Sequence, residues 1–359
     1  MESSDKERKY RAVANELRDN ILSGKYAPGA AFPSVKMLCR RFNVSHLTAV
    51  KAIETLKGMG LVRTRNGVGT FVRRRMTSIG LVVPMLRRVE ILPPISHEIS
   101  RMCQENGIAV DFADISGPIS KKTSNAIVAT ARRMADSEIS GVIFHPVNSG
   151  DGAAKTNCEV EEIFHAAGIP LVLLDSDLDS RSPDRRFDFV GIGNRAIGRN
   201  AGMHVIERGA KSIAFVAWES MNDNVVLRLA GLMSAIASKH GTKLAGKYIW
   251  LQDESQLAGL WRRRLPDAIV CSSDLVAAHV LKLLLKLKKR CPQDVLVMGV
   301  NDVDLATLVS PQLTTVHQPC EAIARAAFET LLWRMESPAE PPRRIFVAAD
   351  LVIRESTTR

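Results

Sequence analysis

The residues best suited to chemistry in this chain are cations, and they crowd one end. Residues 1–76 hold 16 Lys+Arg against 6 Asp+Glu, a net of +10 out of +11 for all 359 residues. The rest is balanced, 33 against 32. So concentrated a charge attracts a polyanion, because each neutralised phosphate releases condensed counterions. Within the basic stretch, Lys36, His46, Lys51, Arg63 and Arg65 are candidates to meet phosphates or base edges. Ser45 and Thr48 add hydroxyls, and Gly67 adds a turn without a side chain. Arg73-Arg74-Arg75 then lead to Thr77 as a basic linker, set along phosphates for affinity without discrimination or simply solvated.

Beyond residue 78 the candidate polar groups are Arg228, Asp274, Gln318, His145 and Trp218. Arg228 presents several fixed donors, suited to ring or carboxylate oxygens. Asp274 follows Ser272-Ser273 and is able to accept from two hydroxyls. Gln318 both donates and accepts. Trp218 offers a face on which a sugar stacks. Each also has a plain structural role open to it: an ion pair for Arg228, a helix cap for Asp274, core packing for His145 and Trp218, a turn for Asp175.

Catalytic and metal chemistry find little support. There is no Gly-x-Ser-x-Gly elbow and no His-Glu-x-x-His. Gly191-x-Gly193-x-x-x-x-Gly198 has the wrong spacing for a dinucleotide loop, and Gly209-Ala210-Lys211-Ser212 lacks the glycine that a phosphate loop places six residues before its lysine. Asp175-Ser176-Asp177-x-Asp179 lacks the glycine and closing glutamate of a calcium loop. Six scattered cysteines and eight histidines form no Cys-x-x-Cys and no metal cluster. Neither a cofactor nor a metal is implied. With no apolar run of about 18–20 residues and no secretory leader, a cytoplasmic protein is expected, with no membrane partner.

The elements that would position these groups fall into two sets. In the head, Val13, Leu17 and Ile21 form one helical stripe ended by Gly24. Ser34 opens a short second helix and Ser45 caps a third, whose Ala49, Ala52, Ile53 and Leu56 face inward. Leu61–Arg65 and Val68–Val72 flank Asn66-Gly67, a strong hairpin signal. Helix, helix, tight turn, helix, hairpin is a winged helix-turn-helix, with the third helix shaped for a major groove.

From Ser78, continuous apolar strands alternate with helices, the pattern of an α/β body with parallel sheets covered on both faces. One series runs from 79 to 175. A second is expected to begin with the strand at 189–192 and to run to 300. The expected domains are residues 1–76 and 78–359. The body divides into a first lobe, about 78–183 with 316–343, and a second, about 184–315 with 344–359.

The head resembles the GntR family of bacterial transcription regulators through Leu17-Arg18, Pro28-Gly29, Pro33-Ser34, Val44-Ser45-x-x-Thr48 and Gly67-x-Gly69-Thr70-Phe71-Val72. His46, Val50 and Lys36 stand where that family usually has basic residues, Arg at the first and third. Lysine does not reproduce arginine's planar fork, so an operator sequence does not carry over.

The body resembles LacI-type effector domains, which are themselves periplasmic-binding-protein-like. The matching blocks are Ile79-Gly80-Leu81-Val82-Val83-Pro84, Arg228-x-x-Gly231, Asp294-Val295-x-Val297-x-Gly299-Val300-Asn301-Asp302 and Pro311-x-Leu313-Thr314-Thr315-Val316-His317-Gln318-Pro319. The resemblance implies three crossings between lobes and a ligand between the carboxyl ends of their strands. It places His145, Trp218, Arg228, Asp274 and Gln318 around that ligand. Gly193 and Asn301 stand where typical members have Asp.

Together the resemblances imply a homodimeric repressor that is not an enzyme. It would bind a double-stranded DNA operator under control of a sugar-like effector. The competing expectation is a cytoplasmic sugar-binding protein whose head is a protein-interaction module; steep salt dependence of DNA binding separates the two.

Overall fold

Two serines set the geometry of the head. In the computed structural model, Ser34 Oγ accepts from the Met37 amide and Ser45 Oγ from the Thr48 amide, both at 3.3 Å. These bonds satisfy donors that a helix start leaves free. The structure describes residues 2–27, 29–65, 68–72, 77–84, 89–113, 115, 120–137, 139–148, 150, 152–176, 186–217, 222–245, 249–250 and 254–358. The chain divides into two compact units, Met1–Thr77 with Leu332–Glu340, and Ser78–Leu331 with Pro341–Arg359.

The first unit contains α1 (Glu2–Leu22), α2 (Val35–Phe42), α3 (His46–Gly58), β1 (Val62–Arg65) and β2 (Gly69–Val72). Asn43, at φ +49°, makes the corner between α2 and α3. Val13, Leu17, Leu38, Ala49, Ala52, Ile53, Leu56, Val62 and Val72 share one core. β1 and β2 pair antiparallel, Val62 opposite Val72 and Arg65 opposite Gly69. Phe32 donates its amide to Thr70 O at 2.7 Å, so the segment before α2 runs beside β2.

The second unit holds two parallel sheets. The first has the order β14-β7-β6-β5-β3-β4. Its strands are β3 (Ser78–Val82), β4 (Ala109–Ala113), β5 (Gly141–Phe144), β6 (Leu171–Leu174), β7 (Asp188–Ile192) and β14 (Arg344–Val347). Interleaved in this lobe are α4 (Leu92–Glu105), α5 (Lys121–Asp136) and α6 (Ala153–Ala166). The second sheet has the order β10-β8-β11-β12, with β9 also on β8. Its strands are β8 (Ser212–Ala217), β9 (Lys243–Leu244), β10 (Ile249–Trp250), β11 (Ala268–Cys271) and β12 (Leu296–Met298). α7 (Asn194–Glu207), α8 (Asp223–Ala237), α9 (Glu254–Arg263), α10 (Asp274–Lys286) and α11 (Leu305–Leu308) accompany it. β13 (Thr315–His317) pairs antiparallel with β15 (Asp350–Val352), and α12 (Cys320–Glu336) lies between them in sequence. Phe144, Phe164 and Met134 are central to one core, Val216, Ile269 and Leu284 to the other.

One expectation is corrected. The strand at 188–192 does not open the second series: β7 pairs with β6 and with β14, so both β7 and β14 belong to the first sheet. The boundaries near 184 and 344 therefore move to the ends of β7 and β14. Continuous apolar strands carry no mark of which sheet they join, because pairing partners are set by tertiary contacts.

Candidate ligand cleft and nucleic-acid interface

In the first unit, α3 presents its N-terminal end to solvent. Lys36, Ser45, His46 and Lys51 are exposed, with Arg40 and Arg41 nearby on α2. Lys51 Nζ lies 5.8 Å above the Tyr10 ring, a cation–π contact that steadies it over α1. Thr48 is buried, and its hydroxyl sits 2.9 Å from Ser45 Oγ, so it serves the cap. Arg63 is half-buried, its guanidinium 3.5 Å from Glu336. The Arg65 side chain and Gly67 lie outside the described residues. Sequence reasoning missed Leu47, which is 62% exposed on the first turn of α3. An apolar side chain at that place suits contact with a thymine methyl. The signal was available: Leu47 falls outside the inward stripe of Ala49, Ala52, Ile53 and Leu56.

In the second unit, polar groups gather where strands end. His145 follows β5, Asp175 follows β6, Ser272-Ser273-Asp274 follow β11, and Asn301 lies just past β12. Arg228 enters from the first turns of α8, fully among protein. It donates from Nε to Asn194 Oδ1 at 2.7 Å and from Nη1 to Ser272 O at 2.6 Å. Burial lowers its pKa, an effect the nearby Asp175, Asp274 and Glu90 carboxylates oppose. Asn224, one turn earlier, donates to Asp175 O at 3.2 Å and to Asp175 Oδ2 at 3.1 Å.

Asp274 is wholly buried. Its Oδ1 accepts from Thr315 Oγ1 at 2.6 Å and its Oδ2 from the Val303 amide at 3.1 Å. Burial pushes its pKa up to about 6 despite these donors. Ser273 Oγ caps α10, so Asp274 is free of the capping role. Gln318 donates from Nε2 to Asn301 Oδ1 at 2.7 Å, and Asn301 donates from Nδ2 to Glu90 Oε2 at 2.6 Å. Burial raises the Glu90 pKa, partly offset by Asn301.

Three of these side chains are incomplete. Among the described residues, both His145 ring nitrogens, Asp175 Oδ1 and Gln318 Oε1 are buried without a hydrogen-bond partner. His145 Nε2 stops 3.6 Å from Asp175 Oδ2. Buried polar groups left unpaired cost free energy that an incoming ligand would recover. A cavity of about 1010 Å³ opens beside Glu90, Asn301 and Gln318.

The structure thus brings Arg228, Asp274, Gln318 and His145 together, and Trp218 lies outside the described residues. Glu90, Asn194, Asn224 and Thr315 were missed. Their partners are distant in sequence, and no local pattern marks them.

Comparison with known proteins agrees with the two-part organisation. Residues 9–72 match the bacterial regulatory proteins, gntR family, and residues 203–357 match the periplasmic binding protein-like domain. The ribose operon repressor of Haemophilus influenzae is 24% identical over 292 residues, 79% of this chain and 82% of that protein. The HTH-type transcriptional regulator CelR of Thermobifida fusca is 26% identical over 329 residues, 87% of this chain and 90% of that protein. Among solved structures, the CelR–cellobiose complex aligns with a TM-score of 0.65 at 22% identity, covering 90% of this chain and 100% of that one. A LacI family regulator from Enterococcus faecium with bound ribose aligns at 0.62 and 20%, covering 78% and 98%. The chain therefore matches the gntR family model over its head and the periplasmic binding protein-like model over the later part of its body, and the relatives it resembles are transcription regulators.

Proposed function

We propose that this protein is a DNA-binding transcriptional repressor, controlled by a small hydroxylated effector held between the two sheets of its body. The observation that carries the reading is the cleft. His145, Asp175 and Gln318 bring buried, unpartnered polar atoms to the ends of β5, β6 and β13, around a buried Arg228. A finished structural core does not leave such atoms open; a site awaiting a polar ligand does. The capped α3, fringed by Lys36, His46 and Lys51, supplies the other half of the mechanism.

The protein works in the cytoplasm as a homodimer. Two copies hold two α3 helices at fixed separation, which calls for a pseudo-palindromic operator with half-sites about 10 bp apart or a multiple. No helix among the described residues is long and apolar enough to cross a membrane.

The effector acts through its different affinity for two arrangements of the lobes. Filtering a random-sequence DNA pool through the full chain gives the operator, and titration then gives its salt dependence. The expected result is a steep negative log–log slope, with operator affinity shifted by the effector. Removing residues 1–76 should abolish operator binding and leave effector binding intact. A truncated protein that still selects the same operator would overturn the reading.

A further inference from the structure

We infer that the effector carries a positive charge: a hydroxylated primary amine of the amino-sugar class, in place of a neutral or anionic sugar. This rests on the effector-binding reading above and narrows its ligand.

The chain as a whole is strongly basic, yet the walls of the cavity are acidic. Glu90, Asp302, Asp304, Glu321 and Glu329 line it, against Arg325. Asp302 is answered by Arg354 at 2.7 Å and by His317 at 3.1 Å. Among the described residues Glu90 has no cation in salt-bridge contact; it accepts from the neutral amide of Asn301 and from the Leu275 backbone. Asp175 and Asp274 are buried outside the cavity lining, and both act on the Arg228 charge together with Glu90. One guanidinium thus faces three carboxylates.

Two of the three unpartnered side chains, Gln318 and Asp175, give the same sign, while the His145 ring offers one donor and one acceptor. Gln318, 2% exposed, lines the cavity with its NH2 group already spent on Asn301. The end it leaves open is Oε1, an acceptor. Asp175 Oδ1 is likewise a carboxyl oxygen left without a donor. What enters must bring donors, and an ammonium brings three together with the charge that the carboxylates lack. An anion is disfavoured on two counts. It meets an acidic wall, and Arg228 has already committed one N–H of Nε and one of Nη1 to Asn194 and Ser272, which leaves it fewer donors for a carboxylate or phosphate. A neutral sugar satisfies the acceptors but leaves the buried charge uncompensated.

The test is calorimetric titration of the full chain with glucosamine, galactosamine and mannosamine. Each is run against its neutral hexose, its N-acetyl derivative and its 6-phosphate. We expect at least one free hexosamine to bind tenfold or more tightly than its N-acetyl form, which keeps the bulk and loses the charge. We expect Glu90→Gln, which still accepts from Asn301, to weaken that binding about tenfold without lowering Tm. A neutral or anionic sugar bound as tightly as the amine overturns the inference and leaves the effector reading standing. Absence of binding by every member overturns both.

Discussion

Arg228 is held in place by an unusually close helix pair, and the glycines in that crossing offer the sharpest test of how the cleft is built. A Cβ added at Gly198 of α7 would sit 1.9 Å from Arg228 O, and one at Gly231 of α8 would sit 2.0 Å from Arg195 O. Ordinary contact begins near 3.4 Å, so each methyl overlaps a carbonyl by about 1.5 Å. The obstructing atoms are backbone on both sides, and no rotamer change relieves them. In Gly198→Ala the helices must part. A shift of that size takes the 2.7 Å and 2.6 Å bonds from Arg228 to Asn194 and Ser272 past bonding range. Overpacking costs about 1–3 kcal/mol, and a backbone-on-backbone clash belongs at about 3 kcal/mol. For a domain of this size that corresponds to a Tm lowered by about 6–12 °C. Scanning calorimetry of Gly198→Ala and Gly231→Ala measures it, with effector affinity as a second readout. Gly259→Ala is the control: a Cβ there meets nothing within 4 Å, and helix propensity alone should add up to about 1 kcal/mol. If Gly198→Ala melts within 2 °C of the unmodified protein, the account of Arg228 as clamped by this crossing is wrong.

Three further outcomes are expected. Ser45→Ala removes the acceptor for the Thr48 amide; α3 should lose about 1 kcal/mol of local stability, read as faster hydrogen exchange in its first turn, and unchanged exchange would count against the cap. Leu47→Ala should leave the melting of the head nearly unchanged, within about 0.5 kcal/mol for an exposed side chain, while altering the sites selected from a random DNA pool; identical selected sites would remove Leu47 from the interface. Asp274→Asn tests the buried charge. The folded pKa, about 6, lies above the unfolded value near 3.8, so the folded state holds the proton more tightly; stability is lost as pH rises between these two values, and the full cost of about 3 kcal/mol stands above about pH 6. The unmodified protein should therefore gain on Asp274→Asn as pH falls from 7 to 5, measured by paired thermal melts, and a difference that does not move with pH contradicts the assignment.

The head was legible in the sequence almost residue by residue, because what shapes it is local. Ser34 and Ser45 cap within three residues, Asn43 turns a corner by itself, and Val13 and Leu17 mark a helix face by spacing alone. The alternation of strands and helices in the body was legible for the same reason. Sheet membership was not: β7 and β14 are apolar runs like any other until β6 pairs with one and β7 with the other. The start of α6 is not marked locally either; it begins at Ala153 after Gly152 in the left-handed region, a turn that apolar periodicity does not record.

The cleft shows where such local reasoning stops, and Asn301 shows why. From sequence, an asparagine where relatives of the LacI type place an acid reads as a lost cleft charge. In the structure Asn301, held at φ +125°, uses both ends of its amide: Nδ2 donates to Glu90, 211 residues away, and Oδ1 accepts from Gln318. A carboxylate at 301 has no donor for Glu90 and would face it with like charge. Asn301 and Glu90 are thus one arrangement, with the acid at 90 and the amide at 301, and Gln318 is turned so that its carbonyl is left open. A residue type at a single position therefore says little of this cleft, because the charge it presents is the sum of the groups that face it and not that of any one of them.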